Sequence, residues 1–334
     1  MTIPDLVCPA GTLAAVEAAI DHGADAVYVG LRNETNARNF PGLNLTPTDL
    51  AAGVRYAHKQ KRKIYLALNT YAQPGRVAVW QKTADQAASA GVDAIIAADL
   101  AVLRYCMRTH PSLARHLSVQ GSATNTESLR FYASQFGVTR AVLPRVLALN
   151  QVQKLAADTP VDLEVFGFGG LCVMVEGRCA LSSFATGISP NTYGACSPAS
   201  AVRWEEGHDQ RRVRLNGILI DVYEKDEKAG YPTLCKGRFK VEDRVTYALE
   251  EPTSLNVLPI LGELARIPVR AIKIEGRQRS PSYVARVTGI LRAALDSYAR
   301  DPKGYALRPE WIQGLSALSE GHQQTLGAFH RPWR

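Results

Sequence analysis

Two patterns of apolar positions alternate along the first 170 residues. Short runs rich in Val, Ile, Leu and Ala, at 5–8, 26–30, 63–69, 94–97, 117–120, 141–143 and 163–168, read as buried strands. Between them, at 13–22, 48–60, 78–90, 126–136 and 150–157, apolar residues recur three or four apart and predict amphipathic helices. Three helices run into similar punctuation, HGADAVYVG, AGVDAIIAAD and FGVTRAVLP. In each, the glycine is expected to close the helix in the left-handed conformation before a buried strand begins. An eighth strand is expected at 269–275 (VRAIKIE), after a helix at 255–266, and a further helix from Pro281 to about Arg300.

Strands alternating with helices imply parallel pairing through right-handed crossovers. Eight such units predict an α/β fold, a TIM-like (β/α)8 barrel with a cysteine-bearing insertion between strands seven and eight. A flavodoxin-like open sheet is the competing topology, but it seldom needs eight strands. The expected boundaries are 1–168 for the first seven units, 169–250 for the insertion and 251–300 for the last barrel unit and its helix. The tail, 301–334, is expected to pack across the barrel bottom or on a partner.

The chain has 334 residues, 46% of them hydrophobic and 21% charged, enough for a large core. No apolar run approaches the ~20 residues of a membrane span, and the segment 94–103 is interrupted by Asp99. The N-terminus, MTIPDLVCPAG, lacks the features of a signal peptide, so a cytoplasmic location is expected. Thiols stay reduced there, and clustered cysteines point to metal or catalysis before disulfides. The formal charge of +8 suits an acidic partner, yet the basic residues are scattered apart from KQKRK (59–63) and QRRVR (210–214).

Four of the six cysteines, Cys172, Cys179, Cys196 and Cys235, lie in the insertion beside glycine, proline or small residues. That is a loop setting suited to thiolate ligands. Their spacing, C-x6-C-x16-C-x38-C, is neither a zinc ribbon nor a ferredoxin run. It favours an iron–sulfur cluster slightly over zinc. Four small buried hydrophobes, or transient redox disulfides, are the other readings. On one straight helix Cys172 and Cys179 would stand ~10.5 Å apart, so a bend at Gly177 is expected. Cys8 and Cys106 read as core.

Barrel chemistry sits at the C-terminal ends of the strands. Arg38, Gln120, Arg145, Glu275 and Arg277 fall at or just beyond predicted strand ends, with Glu176 and Arg178 between the first two cysteines. Arginine suits forked recognition of carboxylates, so Arg38, Arg145 and Arg277 are candidate clamps for a dicarboxylate. The plainer alternative is that they pair with Glu34, Glu176 or Glu275 and hold loops together. GFGG (167–170) lacks the third glycine of a dinucleotide fingerprint. The chain has no H-E-x-x-H and no G-x-S-x-G, so hydrolysis has no visible machinery.

LEVFGFGGLCVMVEGRCALSS, SPNTYGACSPA, YPTLCKGR and IKIEGRQRSP, with the opening CPAGTLAAVEAAIDHGADAVYVGL, resemble the signature regions of the U32 peptidase-like family. With NETNARNFPGLNLT, EEPTSLN and SEGHQQTLGAFHRPW, the resemblance covers essentially the whole chain and extends to a member that acts in ubiquinone biosynthesis. It implies a TIM-barrel-like fold and a 4Fe–4S cluster on Cys172, Cys179, Cys196 and Cys235. It also implies a heterodimer with the related protein UbiV, hydroxylating a ubiquinone-ring precursor without O2, with prephenate as oxygen donor. No catalytic residue is singled out. Two other classes stay open: hydroxylation of RNA bases, as in other members, and an electron-transfer or scaffold subunit without its own active site. The RNA-directed relatives carry extra C-terminal domains, whereas this sequence stops soon after its barrel, which favours the quinone reading.

Overall fold

The computed structural model describes residues 3–172, 174, 178–227, 229–321 and 323–331. Strands and helices alternate from the start: β1 (Asp5–Pro9), α1 (Leu13–Asp21), β2 (Ala26–Val29), α2 (Pro47–Lys59), β3 (Lys63–Leu68) and α3 (Val77–Ala90). They continue through β4 (Ala94–Ala97), α4 (Leu100–Thr109), β5 (Ala114–Leu117), α5 (Thr126–Phe136), β6 (Val138–Val142), α6 (Leu149–Asp158) and β7 (Asp162–Gly170). The insertion follows, with α7 (Ala180–Thr186), α8 (Pro190–Tyr193), β8 (Val202–Glu206), β9 (Gln210–Leu215), β10 (Ile218–Glu224), β11 (Arg238–Val241) and β12 (Arg244–Tyr247). The chain returns through β13 (Thr253–Asn256), α9 (Leu261–Leu264), β14 (Ala271–Ile274), α10 (Pro281–Arg300), α11 (Pro309–Ser316) and β15 (Gln323–Thr325).

Strands β1 to β7 pair in parallel in chain order, and β14 pairs in parallel with both β1 and β7. The sheet therefore closes into an eight-stranded barrel, a TIM-barrel-like fold. Gly23, Gly91 and Gly137 take φ of 97°, 75° and 61° at the ends of α1, α3 and α5, as the punctuation predicted.

Three expectations shift. The fifth strand is Ala114–Leu117, not 117–120, and 119–121 is a 3-10 turn. The sixth starts at Val138, not 141. In both, buried polar residues (Arg115 and His116; Arg140) broke the apolar pattern. The expected helix at 255–266 is strand β13, a 3-10 turn and the four-residue α9; Pro259 falls in that turn.

Alternate strand residues face outward and inward. Outward ones such as Leu6, Cys8, Leu66 and Ile95 pack with Trp80, Leu103, Cys106 and Leu291 of the helices in one large core. Cys8 and Cys106 are fully buried. A smaller cluster of Val7, Ala26, Tyr28, Tyr65, Ala94, Ile96 and Ala271 fills the barrel interior. Buried charges sit with it. Glu164 Oε1 is 2.6 Å from Lys273 Nζ and Glu164 Oε2 is 3.5 Å from Arg140. Burial pushes His116 down to about 3 and keeps it neutral.

Residues 323–325 of the described C-terminal tail lie away from the barrel bottom. β15 pairs in parallel with β13, and β13 pairs antiparallel with the far end of β7, Ser254 opposite Gly170. The last described residues therefore lie on the C-terminal side of the strands, the side expected to carry chemistry. Within the insertion, β8, β9 and β10 form an antiparallel sheet, and β11 and β12 a hairpin. Among the described residues no helix is long and apolar enough to cross a membrane.

Candidate functional site

Four of the five predicted strand-end residues meet at the barrel mouth. Glu275 follows β14 and accepts hydrogen bonds from Arg38 Nη2 (3.0 Å) and from Arg145 Nη2. Arg38 belongs to the long loop after β2, which its own polar residues shape. Asn36 Oδ1 accepts from Arg38 N (3.1 Å), and Asn44 Nδ2 donates to Arg38 O (2.7 Å). Arg145 sits over Phe166, its Cζ 3.7 Å from the ring centroid. Burial pushes the Glu275 carboxyl upward, but Arg145 and Arg38 more than offset it, leaving it below the usual carboxylate range.

Arg277 is placed differently. It is 6% exposed, donates from Nη1 to Asn36 Oδ1 at 3.0 Å, and stands 5.6 Å from the Tyr28 ring centroid. Gly30 makes room for it, because a Cβ there would lie 2.6 Å from Arg277 Nη1 and 2.7 Å from Asn36 Cγ. Arg38 and Arg145 thus share the Glu275 carboxylate, the pairing expected under the plainer alternative, while Arg277 does not. Gln120 is buried in the turn after β5, where its backbone carbonyl accepts from Tyr71 Oη (2.9 Å). Its side-chain oxygen has no hydrogen-bond partner among the described residues, and no described contact joins it to the other four.

The four insertion cysteines line one pocket, together with Met174, Leu181, Ser182, Thr233 and Leu234. Cys179 caps α7 through its sulfur, which accepts from Ser182 N at 3.3 Å. Cys235 lies in a 3-10 turn with its sulfur 3.4 Å from Thr233 Oγ1. The segment around Cys196 is fixed on both sides: Ser182 Oγ donates to Cys196 O, and Ser197 N donates to Tyr231 Oη at 2.8 Å. Cys172 is exposed at the end of β7. Burial pushes the Cys196 and Cys235 thiols up. Glu176, and the bend expected at Gly177, lie outside the described residues.

Among the described residues no three Cys, His, Asp or Glu side chains are gathered around a single-ion position. A tetrahedral zinc would hold its sulfurs only ~3.8 Å apart, from Zn–S bonds of about 2.3 Å. A cubane attaches each thiolate to a different iron and holds the sulfurs wider. Four sulfur donors around one pocket, two of them beside a hydrogen-bond donor, fit such a cluster.

The cysteine pocket abuts the mouth. Gly194, two residues before Cys196, has φ 84°, and a Cβ on it would lie 2.6 Å from Asn36 O and 3.0 Å from Ala37 Cα. Phe40, of the loop after β2, also makes a T-shaped contact at 5.6 Å with Tyr231, in the segment that leads to Cys235. The Cys196 thiol accordingly feels the Arg38 charge.

A third feature escaped the sequence. An apolar pocket of about 330 Å³ of empty space, part of it open to solvent, adjoins the Arg145–Phe166 stack. Leu143, Leu147, Val165 and Leu255 form its barrel wall, and Leu326 and Phe329 of the tail cover it. Its residues come from five separate segments, so no local pattern could reveal it. The GAC glycine at 194 was the one sequence signal for the loop contact.

Residues 11–331 match the model of peptidase family U32. The tRNA hydroxylation protein P1 of Bacillus subtilis is 29% identical over 98% of this chain and 70% of its own length. An uncharacterized protease of Methanocaldococcus jannaschii is 34% identical over 89% of this chain and 66% of its own. The 23S rRNA 5-hydroxycytidine C2501 synthase of Escherichia coli is 31% identical over 88% of this chain but only 39% of its own. Among solved structures, a U32 peptidase aligns with a TM-score of 0.43 at 13% identity, over 51% of this chain and 71% of that one.

Proposed function

The chain belongs to peptidase family U32, and we propose that it is the iron–sulfur subunit of an O2-independent hydroxylase in ubiquinone biosynthesis, the role of UbiU, working as a heterodimer with UbiV. The observation that carries this reading is the pairing of sites: four cysteines around one pocket, and the loop of Cys196 packed directly on the loop of Asn36 and Arg38 at the barrel mouth. Names of relatives that describe hydroxylation of tRNA and rRNA support hydroxylation as the reaction class.

In this reading Cys172, Cys179, Cys196 and Cys235 hold a 4Fe–4S cluster, which would supply electron-transfer or Lewis-acid chemistry at the edge of the mouth. The protein's own groups position the substrates. The cationic mouth suits prephenate, a dicarboxylate, as the oxygen donor. The apolar pocket beside Arg145 suits the ring of a ubiquinone precursor, and the tail over it shields part of it from water. The Arg38–Glu275–Arg145 group fixes the wall between those two places.

Hydroxylation of an RNA base is the second reading, favoured by the relatives' names and by the +8 charge. One experiment tests both. The chain is purified without O2 and assayed for iron, sulfide and EPR signal. It is then supplied with prephenate, alone and with UbiV, on a ubiquinone precursor and on tRNA in parallel, with products read by mass spectrometry. Ring hydroxylation by the pair is the expected result. Product on tRNA only would replace the quinone reading, and iron-free protein at full activity would remove the cluster from it.

A further inference from the structure

Two buried arginines of this barrel have no acidic partner among the described residues, and they differ in what surrounds them. Arg115 is 9% exposed and surrounds its guanidinium with backbone carbonyls, donating to Phe136 O and Leu113 O at 2.8 Å, with Gly137 O at 3.3 Å and Pro111 O at 3.4 Å. Arg277 is 6% exposed and has one acceptor, the neutral Asn36 Oδ1. A guanidinium carries five N–H donors, so most of those on Arg277 meet no acceptor among the described residues. No carboxylate of the described residues comes within 4.0 Å of it. The nearby acid, Glu275, already accepts from Arg38 and Arg145.

A buried charge is ordinarily paired or coordinated, and leaving one unpaired costs several kcal/mol. The fold nevertheless builds the position with care. Gly30 leaves the space, Asn36 is fully buried behind the guanidinium and donates back to Leu31 O, and the Tyr28 ring lies alongside. Desolvation accordingly pushes the guanidinium down to about 10. Arg38, the more exposed neighbour, adds a second positive charge at the recess.

We propose that Arg277 is an anion seat: a carboxylate of a ligand entering the barrel mouth takes a forked pair of hydrogen bonds from its guanidinium, while Arg38, Arg145 and Glu275 form the fixed wall beside it. The seat follows from the contacts of Arg277; only the identity of the natural ligand, a dicarboxylate oxygen donor, rests on the function proposed above. Of the three strand-end arginines, Arg277 alone is held ready for substrate.

The test uses the full-length, anaerobically purified protein with its iron content determined, and malonate as the probe. Thermal unfolding is followed against malonate, with sodium chloride at equal ionic strength as control. The wild type should show a saturable rise in Tm with malonate. Arg277→Gln should lose that response and melt higher than wild type in its absence, because it removes an unpaired buried charge. A structural cation would behave in the opposite way. Arg277→Lys keeps the charge but not the fork and should bind malonate about ten-fold more weakly. A malonate response that persists in Arg277→Gln, or one no larger than that of sodium chloride in the wild type, overturns the seat. The KM for prephenate of the UbiV-paired enzyme separates the two ideas. Hydroxylation with an unchanged KM in Arg277→Gln removes the seat and leaves the function. Malonate binding at Arg277 in a pair that hydroxylates nothing leaves the seat and removes the function.

Discussion

Lys273 Nζ and Glu164 Oε1 meet at 2.6 Å inside the barrel, on adjacent strands, with both side chains sealed from solvent. Each makes the other tolerable there, and neither has water to fall back on. Glu164→Gln should therefore destabilise the protein by about 3–5 kcal/mol, by stranding Lys273 and weakening the hold on Arg140. The double variant Glu164→Gln/Lys273→Met should lose less than the sum of the singles. Urea denaturation of all three checks this, and strict additivity would refute the coupling.

At the cysteine pocket, Cys→Ala at 172, 179, 196 or 235 is expected to lower bound iron and to abolish ring hydroxylation. The same change at Cys106, buried in the helix–sheet core, should cost only packing, about 1 kcal/mol, and leave iron unchanged. Iron and sulfide determination on the five variants decides the matter. Full iron in Cys196→Ala would dismiss the cluster.

Glu275 gives a pH signature. Its carboxyl titrates lower in the folded protein than in the unfolded chain, where a glutamate has a pKa of about 4.3. Its contribution is thus fully present above that value and is lost as pH falls through the lower, folded one. Glu275→Gln should be less stable than wild type near pH 7, by about 1–2 kcal/mol given the partial exposure of Arg38. The gap should close as the pH falls through that lower, folded value. Chemical denaturation at a series of pH values measures it, and a gap constant with pH would refute the ion-pair account.

Removing residues 323–334 uncovers the apolar pocket, because Leu326 and Phe329 leave with them. The truncated protein is expected to bind a hydrophobic dye, to lose several degrees of Tm, and to show a raised KM for a ubiquinone-ring precursor with iron content intact. Unchanged kinetics would separate the pocket from the substrate.

The barrel was legible because outward-facing strand residues and helix stripes obey simple periods. It blurred where buried polar groups interrupt them. Arg115 and His116 hide the start of β5, and Arg140 hides that of β6. The four cysteines were legible from their loop setting, and their common pocket depends on folding that spacing does not encode. The arginines were found by strand-end position alone, but their partners were not. Glu275 joins Arg38 across 237 residues and Arg145 across 130, and nothing local distinguishes those two from Arg277. Which arginine stays uncommitted is decided by Gly30 and Asn36, through geometry rather than composition.

β13 pairs antiparallel with the end of β7. Ser254 lies opposite Gly170 and Leu255 opposite Gly169, so residues 171–252 leave and return through a single doorway. The segment is wired to the barrel as a cartridge is to its socket. A related cartridge with differently spaced cysteines could be exchanged at those two points without disturbing barrel closure, which runs through β14. Under the function proposed above, the cysteine-bearing insertion and the barrel would then be separately adjustable parts of one chain.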